Sequence, residues 1–217
     1  FIYTKDEQRL SATHIDRAAA RNALSWLDCR GYFYFACSDT ESFVPEDAER
    51  RILREYRESP ARIGGITEAQ IEGLIRSIQT GTQKRDDLPE LAGTKELGSI
   101  SAICSDTDML EKGKDAFRNN PDIAMTAGGN HVFELLHPSA SKGNALKILA
   151  RHLRIDLEDT MAIGDHDNDL SMFAAAGISV AMGNARPDVQ QHCSRQTLSN
   201  DCHGVAHAIR TVLNEKK

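Results

Sequence analysis

The segment Met161–Leu170 constrains the fold of this 217-residue chain more than any other. An apolar run ends at Gly164, and three carboxylates and an amide follow within five residues. Such an apolar run is typical of a buried strand, and the Ser171–Ala176 stretch behind it is typical of a helix. In open α/β sheets, ligands bind beyond the carboxyl ends of the strands. The segment therefore predicts an acidic site at the edge of an α/β sheet.

The carboxylates of Asp165, Asp167 and Asp169 are so close in sequence that they would repel one another if all three were ionised. A cation or strong hydrogen-bond donors would have to offset their repulsion. Oxygen ligands with no cysteine nearby favour a hard cation such as Mg²⁺ over zinc. The alternative is an acidic N-cap cluster on an ordinary helix, because Asp and Asn favour that position. Both interpretations stay open at this point.

Composition and charge argue against several classes of function. The formal net charge is −6 and there is no basic stripe, which argues against a nucleic-acid partner. No apolar run approaches the length of a membrane span, and no signal peptide is visible. The five cysteines are scattered without a CxxC pair, which predicts reduced thiols in a cytoplasmic protein. The sequence does not predict an oligomeric state.

A possible zinc site near the end of the chain is weaker. His203 and His207 are four residues apart and could share a helical face. However, Cys193 and Cys202 lack the tight paired spacing of structural zinc sites. The sequence therefore favours Mg²⁺ at the acidic turn over zinc in this region.

Periodicity divides the chain into two parts. From residue 137 onward, strands and helices of similar length alternate, which is typical of parallel βαβ units. In this part we predict helices over 143–153, 168–176 and 203–214, and strands over 160–163 and 178–182. Residues 4–136 have a mixed α+β pattern, with helices predicted over 15–27, 46–57, 68–79 and 109–117, and strands over 32–37, 100–104, 123–126 and 132–136.

Lys142 follows Ser141 at the start of the predicted 143–153 helix. A lysine at a helix N-terminus opposes the macrodipole, and a bound phosphate would compensate, since both the helix end and the ammonium attract it. A solvated surface lysine is the alternative. The first interpretation gains weight because Lys142 belongs to a composite pattern, which also contains Gly-Asp-x-x-Asn-Asp at 164–169 and Val-Ala-Met-Gly-Asn-Ala at 180–185.

This composite resembles the haloacid dehalogenase (HAD) superfamily, and within it the Cof-type, sugar-phosphatase-like branch. Lys142 matches that family's phosphate-contacting lysine, the 164–169 motif matches its acidic metal-binding motif, and Ser199–Val205 matches its usual ending. The resemblance implies an α/β fold with a HAD-like Rossmannoid core and a large inserted α/β cap domain. We expect residues 1–3 to end a core strand, 4–136 to form the cap, and 137–217 to form the C-terminal part of the core.

The resemblance also implies a role for each matching residue. Asp165 would be a direct Mg²⁺ ligand, and Asp169 would support the metal or its waters. Lys142 would neutralise phosphoryl charge in the transition state. Asn168 would donate to the phosphoryl group or orient Asp165. Asn184 either lines the site or forms an ordinary turn.

One family motif is missing from these 217 residues. Family members attack phosphate with an aspartate of an N-terminal Asp-x-Asp-Gly-Thr motif, and the chain opens at Phe1-Ile-Tyr3, which resembles the point just before the cap. We therefore expect the nucleophile and the acid/base to lie outside this chain, and the chain alone to be inactive. Asp106-Thr-Asp108 is only superficially similar, since it lacks Gly-Thr and precedes a helix that Asp108 would cap.

The resemblance implies an Mg²⁺-dependent phosphatase that acts on a small phosphorylated metabolite, with a sugar phosphate as the commonest choice in the family. The intact enzyme would form and then hydrolyse an aspartyl-phosphate. Three alternatives stay open: a phosphomutase of the same superfamily, a non-catalytic remnant that binds phosphate or metal, and a plain α/β domain with an acidic turn.

Overall fold

The computed structural model describes residues 1–58, 67–127 and 131–215. The chain divides into two compact units, the first comprising Phe1 and Tyr3–Ser139 and the second comprising Ile2 and the chain from Ala140 onward. The assignment of a cap and a core to parts of the chain stays a prediction. No helix within the described ranges is long and apolar enough to cross a membrane.

The chain start forms a short strand pair. Strand β1 (Ile2–Tyr3) pairs with β2 (Arg9–Ser11) in a two-stranded sheet. The further helices of the first unit are α1 (Arg17–Cys29), α2 (Ala48–Glu58), α3 (Glu68–Gly81), α4 (Leu88–Leu91) and α5 (Thr107–Phe117). Its further strands are β3 (Phe33–Cys37), β4 (Ser42–Pro45), β5 (Gln83–Arg85), β6 (Ser99–Ile103), β7 (Ala124–Ala127) and β8 (Val132–Leu136).

Six of these strands form one sheet in the order β5-β4-β3-β6-β8-β7. Neighbours are antiparallel except for β4 and β5, which are parallel. Tyr34 and Ala36 of β3 pack into a core cluster with residues of α1 and α5, whereas Phe33 packs into a second cluster with residues of α2 and α3. Helices therefore cover both faces of the sheet, which explains why β3 is apolar and aromatic along its length.

Two predicted helix starts are wrong. The helix predicted over 46–57 starts later, at Ala48 (α2), because Pro45 is the last residue of β4 and is held in register with Arg85 of β5. Asp108, expected to cap a helix, lies inside α5. The cap is Asp106, whose carboxylate accepts hydrogen bonds from the backbone amides two and three residues further on. Gly128 and Gly129, between the strands predicted over 123–126 and 132–136, lie outside the described residues.

Glu55 ties α2 to the start of α5. Its carboxylate accepts a hydrogen bond from the backbone nitrogen of Asp106 at 2.6 Å. Burial raises the pKa of Glu55, and the hydrogen bonds from the backbone at Asp106 and Ser105 offset this only in part. Because the native pKa lies above the unfolded value of about 4.3, the native state binds more protons and stability falls as the pH rises through this window.

We therefore expect Glu55→Gln, which keeps an acceptor oxygen, to unfold at a higher temperature than the wild type at pH 7. The gain should disappear by about pH 3, where Glu55 is protonated in both states. Thermal unfolding at both pH values checks this, with Glu90→Gln, an exposed glutamate of α4, as the matched control. A Glu55→Gln protein less stable than wild type at pH 7 would contradict the assignment.

The second unit has a parallel sheet. Its helices are α6 (Lys142–Leu153), α7 (Leu170–Phe173), α8 (Pro187–Gln190) and α9 (Gly204–Glu215), and its strands are β9 (Met161–Gly164), β10 (Ile178–Ala181) and β11 (Arg195–Gln196). The strands pair in parallel in the order β11-β10-β9. The predicted α/β class is confirmed. The predicted 168–176 helix is shorter, because residues 167–169 form a single 3₁₀ turn before α7.

The buried face of α6 differs from the predicted one. Helical spacing places Ala145, Leu146, Leu149 and Leu153 on one apolar face and predicts that this face is buried. Leu149 and Leu153 are instead 37% and 54% exposed, whereas Gly143 and Ala150 are buried. The reason is a close backbone approach: a Cβ atom at position 143 would lie 2.2 Å from the carbonyl oxygen of Ser171. Small residues, and not leucines, therefore form the contact between α6 and the segment that begins α7.

Candidate active site

The candidate site lies where β9 and β10 end. Gly164, the last residue of β9, is in register with Ala181, the last residue of β10. Asp165 follows the first strand and Asn184 belongs to the turn after the second, so parallel pairing brings them together at one edge of the sheet. The side-chain amide nitrogen of Asn184 donates a hydrogen bond to Oδ2 of Asp165 at 3.0 Å.

Asp169 closes the acidic turn from inside. Its side chain is buried, and Oδ2 accepts hydrogen bonds from the backbone nitrogens of Asp165 at 2.9 Å and His166 at 3.1 Å. Its Oδ1 accepts a hydrogen bond from the ammonium of Lys142, at the start of α6. Gly164 makes room for this arrangement, since a Cβ atom there would lie 2.4 Å from Oδ2 of Asp169.

Asp169 is an ionised carboxylate at neutral pH. Burial alone would raise its pKa, but the hydrogen bonds from Lys142 and from the backbone at Asp165 and His166 outweigh burial and lower the pKa below its usual value. The pair is asymmetric, because the Lys142 side chain is half exposed while that of Asp169 is 4% exposed. The Lys142 ammonium is therefore held by Asp169 while the side chain stays accessible to solvent.

Each acid of the turn has its own donor. Asp167 is held by Arg186, whose Nη2 lies 2.8 Å from Oδ1, and Asp169 is held by Lys142. Among the described residues, the Asp165 carboxylate contacts the neutral amide of Asn184 and, at Oδ1, the Nδ1 atom of His166 at 3.0 Å. Within the described ranges, Asp165 is thus the acid of the turn that has no Lys or Arg partner. No permanently charged side chain of the described residues therefore offsets its carboxylate.

Two of these partners were not predicted. His166 occupies a variable position of the Gly-Asp-x-x-Asn-Asp motif, yet its side chain contacts Asp165. Arg186 was not singled out at all, although its position two residues after Asn184 places it in the turn beside the acids. Arg186 also bonds to Asp188, with Nη2 2.8 Å from Oδ2.

The N-terminus of α6 is less open to phosphate than the sequence suggested. The backbone nitrogen of Gly143 donates to the hydroxyl of Ser171 at 3.0 Å, and that of Asn144 donates to the hydroxyl of Ser141 at 3.1 Å. These two amides already have partners, so attraction of an anion here depends mainly on the Lys142 ammonium.

The donor atoms of the turn fit Mg²⁺ better than a softer metal. Among the described residues, the Asp165 carboxylate has no Lys or Arg partner, and the side-chain oxygen of Asn168 is buried with no hydrogen-bond partner. Mg²⁺ is commonly held by one or two protein oxygens and several waters. In the part of the chain that the structure describes, no group of three His, Cys, Asp or Glu side chains forms a complete metal cage. Both oxygens of Asp169 are engaged, which suits a supporting role.

A family model for haloacid dehalogenase-like hydrolases matches residues 1–209. The chain belongs to this family. Phosphatase YwpJ of Bacillus subtilis is 34% identical over 205 residues, which cover 92% of this chain and 72% of that protein. The 5-amino-6-(5-phospho-D-ribitylamino)uracil phosphatase YwtE of the same organism is 29% identical over 216 residues, 98% of this chain and 76% of that protein.

A solved haloacid dehalogenase-like hydrolase from B. subtilis matches the fold with a TM-score of 0.74 and 32% identity, over 91% of this chain and 71% of that one. The predicted superfamily and its α/β fold are confirmed. The predicted enzyme class, a phosphatase of the HAD superfamily, is confirmed by the family and its named relatives. The roles of Lys142, Asp165, Asn168, Asp169 and Asn184 stay predictions.

Proposed function

We propose that the intact protein is an Mg²⁺-dependent phosphatase that hydrolyses a small phosphorylated metabolite, with sugar phosphates as the first class to test. The observation that carries the proposal is the chain of contacts from Lys142 through buried Asp169 to Asp165, at the carboxyl end of a parallel strand. Two relatives support it: YwpJ is a phosphatase, and the substrate named for YwtE carries a phosphorylated ribityl group.

The cationic and anionic residues of the site would have different roles. Lys142, held by Asp169, would neutralise the charge that develops on the phosphoryl oxygens. Asp165 would hold Mg²⁺, and Asn168 would donate from its side-chain nitrogen to the phosphoryl group. When bound, Mg²⁺ supplies additional positive charge next to the phosphoryl oxygens. Asn184 contacts Asp165 and would line the site.

The nucleophile is the missing part of this proposal. Hydrolysis through an aspartyl-phosphate needs a nucleophilic aspartate, and Asp-x-Asp-Gly-Thr does not occur in the 217 residues. We therefore place the nucleophile outside this chain and expect the chain alone to release no phosphate. Reading the coding DNA upstream of the Phe1 codon for an apolar strand followed by this motif tests that placement.

We also propose a cytoplasmic location, without nucleic-acid or membrane partners. All five cysteines are free thiols, which suits a reducing compartment. The net charge of −6 disfavours anionic polymers and surfaces as partners.

Substitution of Lys142 tests the catalytic proposal. In the intact protein, we expect Lys142→Met to lower Mg²⁺-dependent phosphate release by about 100-fold or more, since loss of one group that stabilises transition-state charge has effects of this size. Lys147→Met is the matched control, because Lys147 is an exposed lysine of the same helix. It should stay within about twofold of the wild type, as expected for an exposed position.

The assay compares release of inorganic phosphate from a panel of sugar phosphates with Mg²⁺ and with a chelator. Equal activity of the two lysine variants would overturn the role of Lys142. Interconversion of sugar phosphates without phosphate release would indicate the phosphomutase instead. Binding of Mg²⁺ without either reaction would indicate the non-catalytic remnant.

A further inference from the structure

The ends of all three strands of the second unit are joined beyond the regular sheet. The backbone nitrogen of Met182, after β10, donates to the carbonyl of Gly164 at 2.9 Å. The nitrogen of Gly183 donates to the carbonyl of Leu198, after β11, at 3.1 Å. Backbone hydrogen bonds therefore hold the turns that carry Asp165, Asn184 and Asn200 in register. Substitution of a side chain does not remove these bonds.

Two glycines permit this close approach. A Cβ atom at Gly183 would lie 2.8 Å from the backbone nitrogen of Ser199, and one at Gly204 would lie 2.0 Å from the carbonyl oxygen of Leu198. Both contacts are with backbone atoms, which cannot swing away as a side chain can. The segment 199–204, which the sequence singled out only as a family ending, is thus packed tightly against the turn of Asn184.

The side-chain amide of Asn184 bridges two of these turns. The backbone nitrogen of Asn200 donates to its Oδ1 at 3.0 Å, and its Nδ2 donates to Oδ2 of Asp165 at 3.0 Å. A backbone N–H can only donate, so the atom that faces Asn200 is the oxygen. If the amide were flipped, its NH₂ group would face the backbone N–H of Asn200, which is also a donor, and its oxygen would face the Asp165 carboxylate, which is also an acceptor. The orientation of the amide is therefore determined by chemistry at both ends.

We propose that Asn184 is a positioning residue for the Asp165 carboxylate, and that the 199–204 turn belongs to the site because the Asn200 backbone orients Asn184. This inference rests on the proposed function, because Asp165 is the residue that would hold Mg²⁺. A neutral amide fixes the direction of the carboxylate without neutralising it. A lysine or arginine in the same place would have competed with the metal for the charge of Asp165.

Two variants of Asn184 and one control distinguish its hydrogen bond with Asn200 from its hydrogen bond with Asp165. Asn184→Ala removes both hydrogen bonds. Asn184→Asp keeps an acceptor for the Asn200 amide but cannot donate to Asp165, and it adds a repelling charge. Asn214→Ala, at an exposed asparagine of α9, is the matched control. None of these exchanges changes a buried residue, so folding should be preserved.

The measurements are amide hydrogen exchange at Asn200, the side-chain carboxyl ¹³C resonance of Asp165, and the dissociation constant for Mg²⁺ alone, all by NMR on the protein. For Asn184→Ala we expect faster exchange at Asn200, a shifted Asp165 resonance and about 10-fold weaker Mg²⁺ binding. For Asn184→Asp we expect Asn200 to stay protected while the Asp165 resonance shifts. The Asn214→Ala protein should match the wild type in all three.

Asn184→Ala with unchanged exchange at Asn200, or with Mg²⁺ affinity within twofold of the wild type, would overturn the inference. Failure of the proposed function would show itself differently, as a wild-type intact protein that releases no phosphate with Mg²⁺. The two failures are distinguishable, because the first compares variants with the wild type and the second concerns the wild type alone.

Discussion

Replacement of Asp169 by asparagine is expected to lower the free energy of unfolding by about 1–3 kcal/mol. Asp169 is 3% exposed, and its two oxygens serve three donors: the Lys142 ammonium and the backbone nitrogens of Asp165 and His166. An asparagine side chain offers one acceptor oxygen, and its amide nitrogen would face another donor. At least one donor at this buried point would lose its partner.

Urea unfolding followed by far-UV circular dichroism measures this loss. The matched control is Asp167→Asn in the same turn, where the carboxylate is 40% exposed and pairs with an exposed arginine. Exposed ion pairs contribute little, so the control should change stability by no more than about 0.5 kcal/mol. If the two variants unfolded at the same urea concentration, Asp169 could not be the residue that holds the turn together.

The partners of these two aspartates were not predictable from the sequence. The motif Gly-Asp-x-x-Asn-Asp separates Asp169 from Asp167, which occupies one of its variable positions, but it does not say which side chain holds either carboxylate. The partners are Lys142, which is 27 positions from Asp169, and Arg186, which belongs to the turn after the neighbouring strand. Periodicity predicts that strands exist but not their register, and register decides which distant side chain reaches each acid.

The local parts of the site were predictable for the opposite reason. Gly164 and Asp165 belong to one strand end, so an apolar run followed by acids placed them correctly at the end of β9. Asn184 was named as a possible site residue from its place in a motif, but its two partners depend on the pairing of three strands. The sequence thus predicted which residues follow the strand ends, and the structure shows which atoms meet there.

The α6 helix shows a further limit of pattern analysis. Helical spacing of leucines predicted the buried face, because periodicity measures the distribution of apolar side chains. The observed face is set by the contact of Gly143 with the backbone of Ser171, where a side chain is absent. The spacing of large apolar residues cannot reveal a contact that depends on the absence of a side chain.

The same contact leads to the other large prediction. We expect Gly143→Ala to destabilise the protein by at least about 2 kcal/mol, since inserted atoms in a packed contact usually cost 1–3 kcal/mol and this one meets backbone. The added Cβ would lie 2.2 Å from the carbonyl oxygen and 2.6 Å from the carbonyl carbon of Ser171. To relieve the clash, the start of α6 must move away from Ser171, and the adjacent Lys142 must move from Asp169.

Gly73→Ala is the matched control with the opposite expected sign. Gly73 also lies in a helix, α3, and a Cβ atom there would meet no atom within 4 Å among the described residues. Alanine favours the helix over glycine, so this variant should be more stable than the wild type by about 0.5–1 kcal/mol. Urea unfolding measures both changes in the free energy of unfolding, from the shift of the midpoint when the denaturant slope m is unchanged. Circular dichroism follows Gly143→Ala, and the fluorescence of Trp26, in the first unit, follows Gly73→Ala. If both alanines stabilised the protein, helix propensity alone would account for them, and Gly143 would not be needed to keep Lys142 beside Asp169.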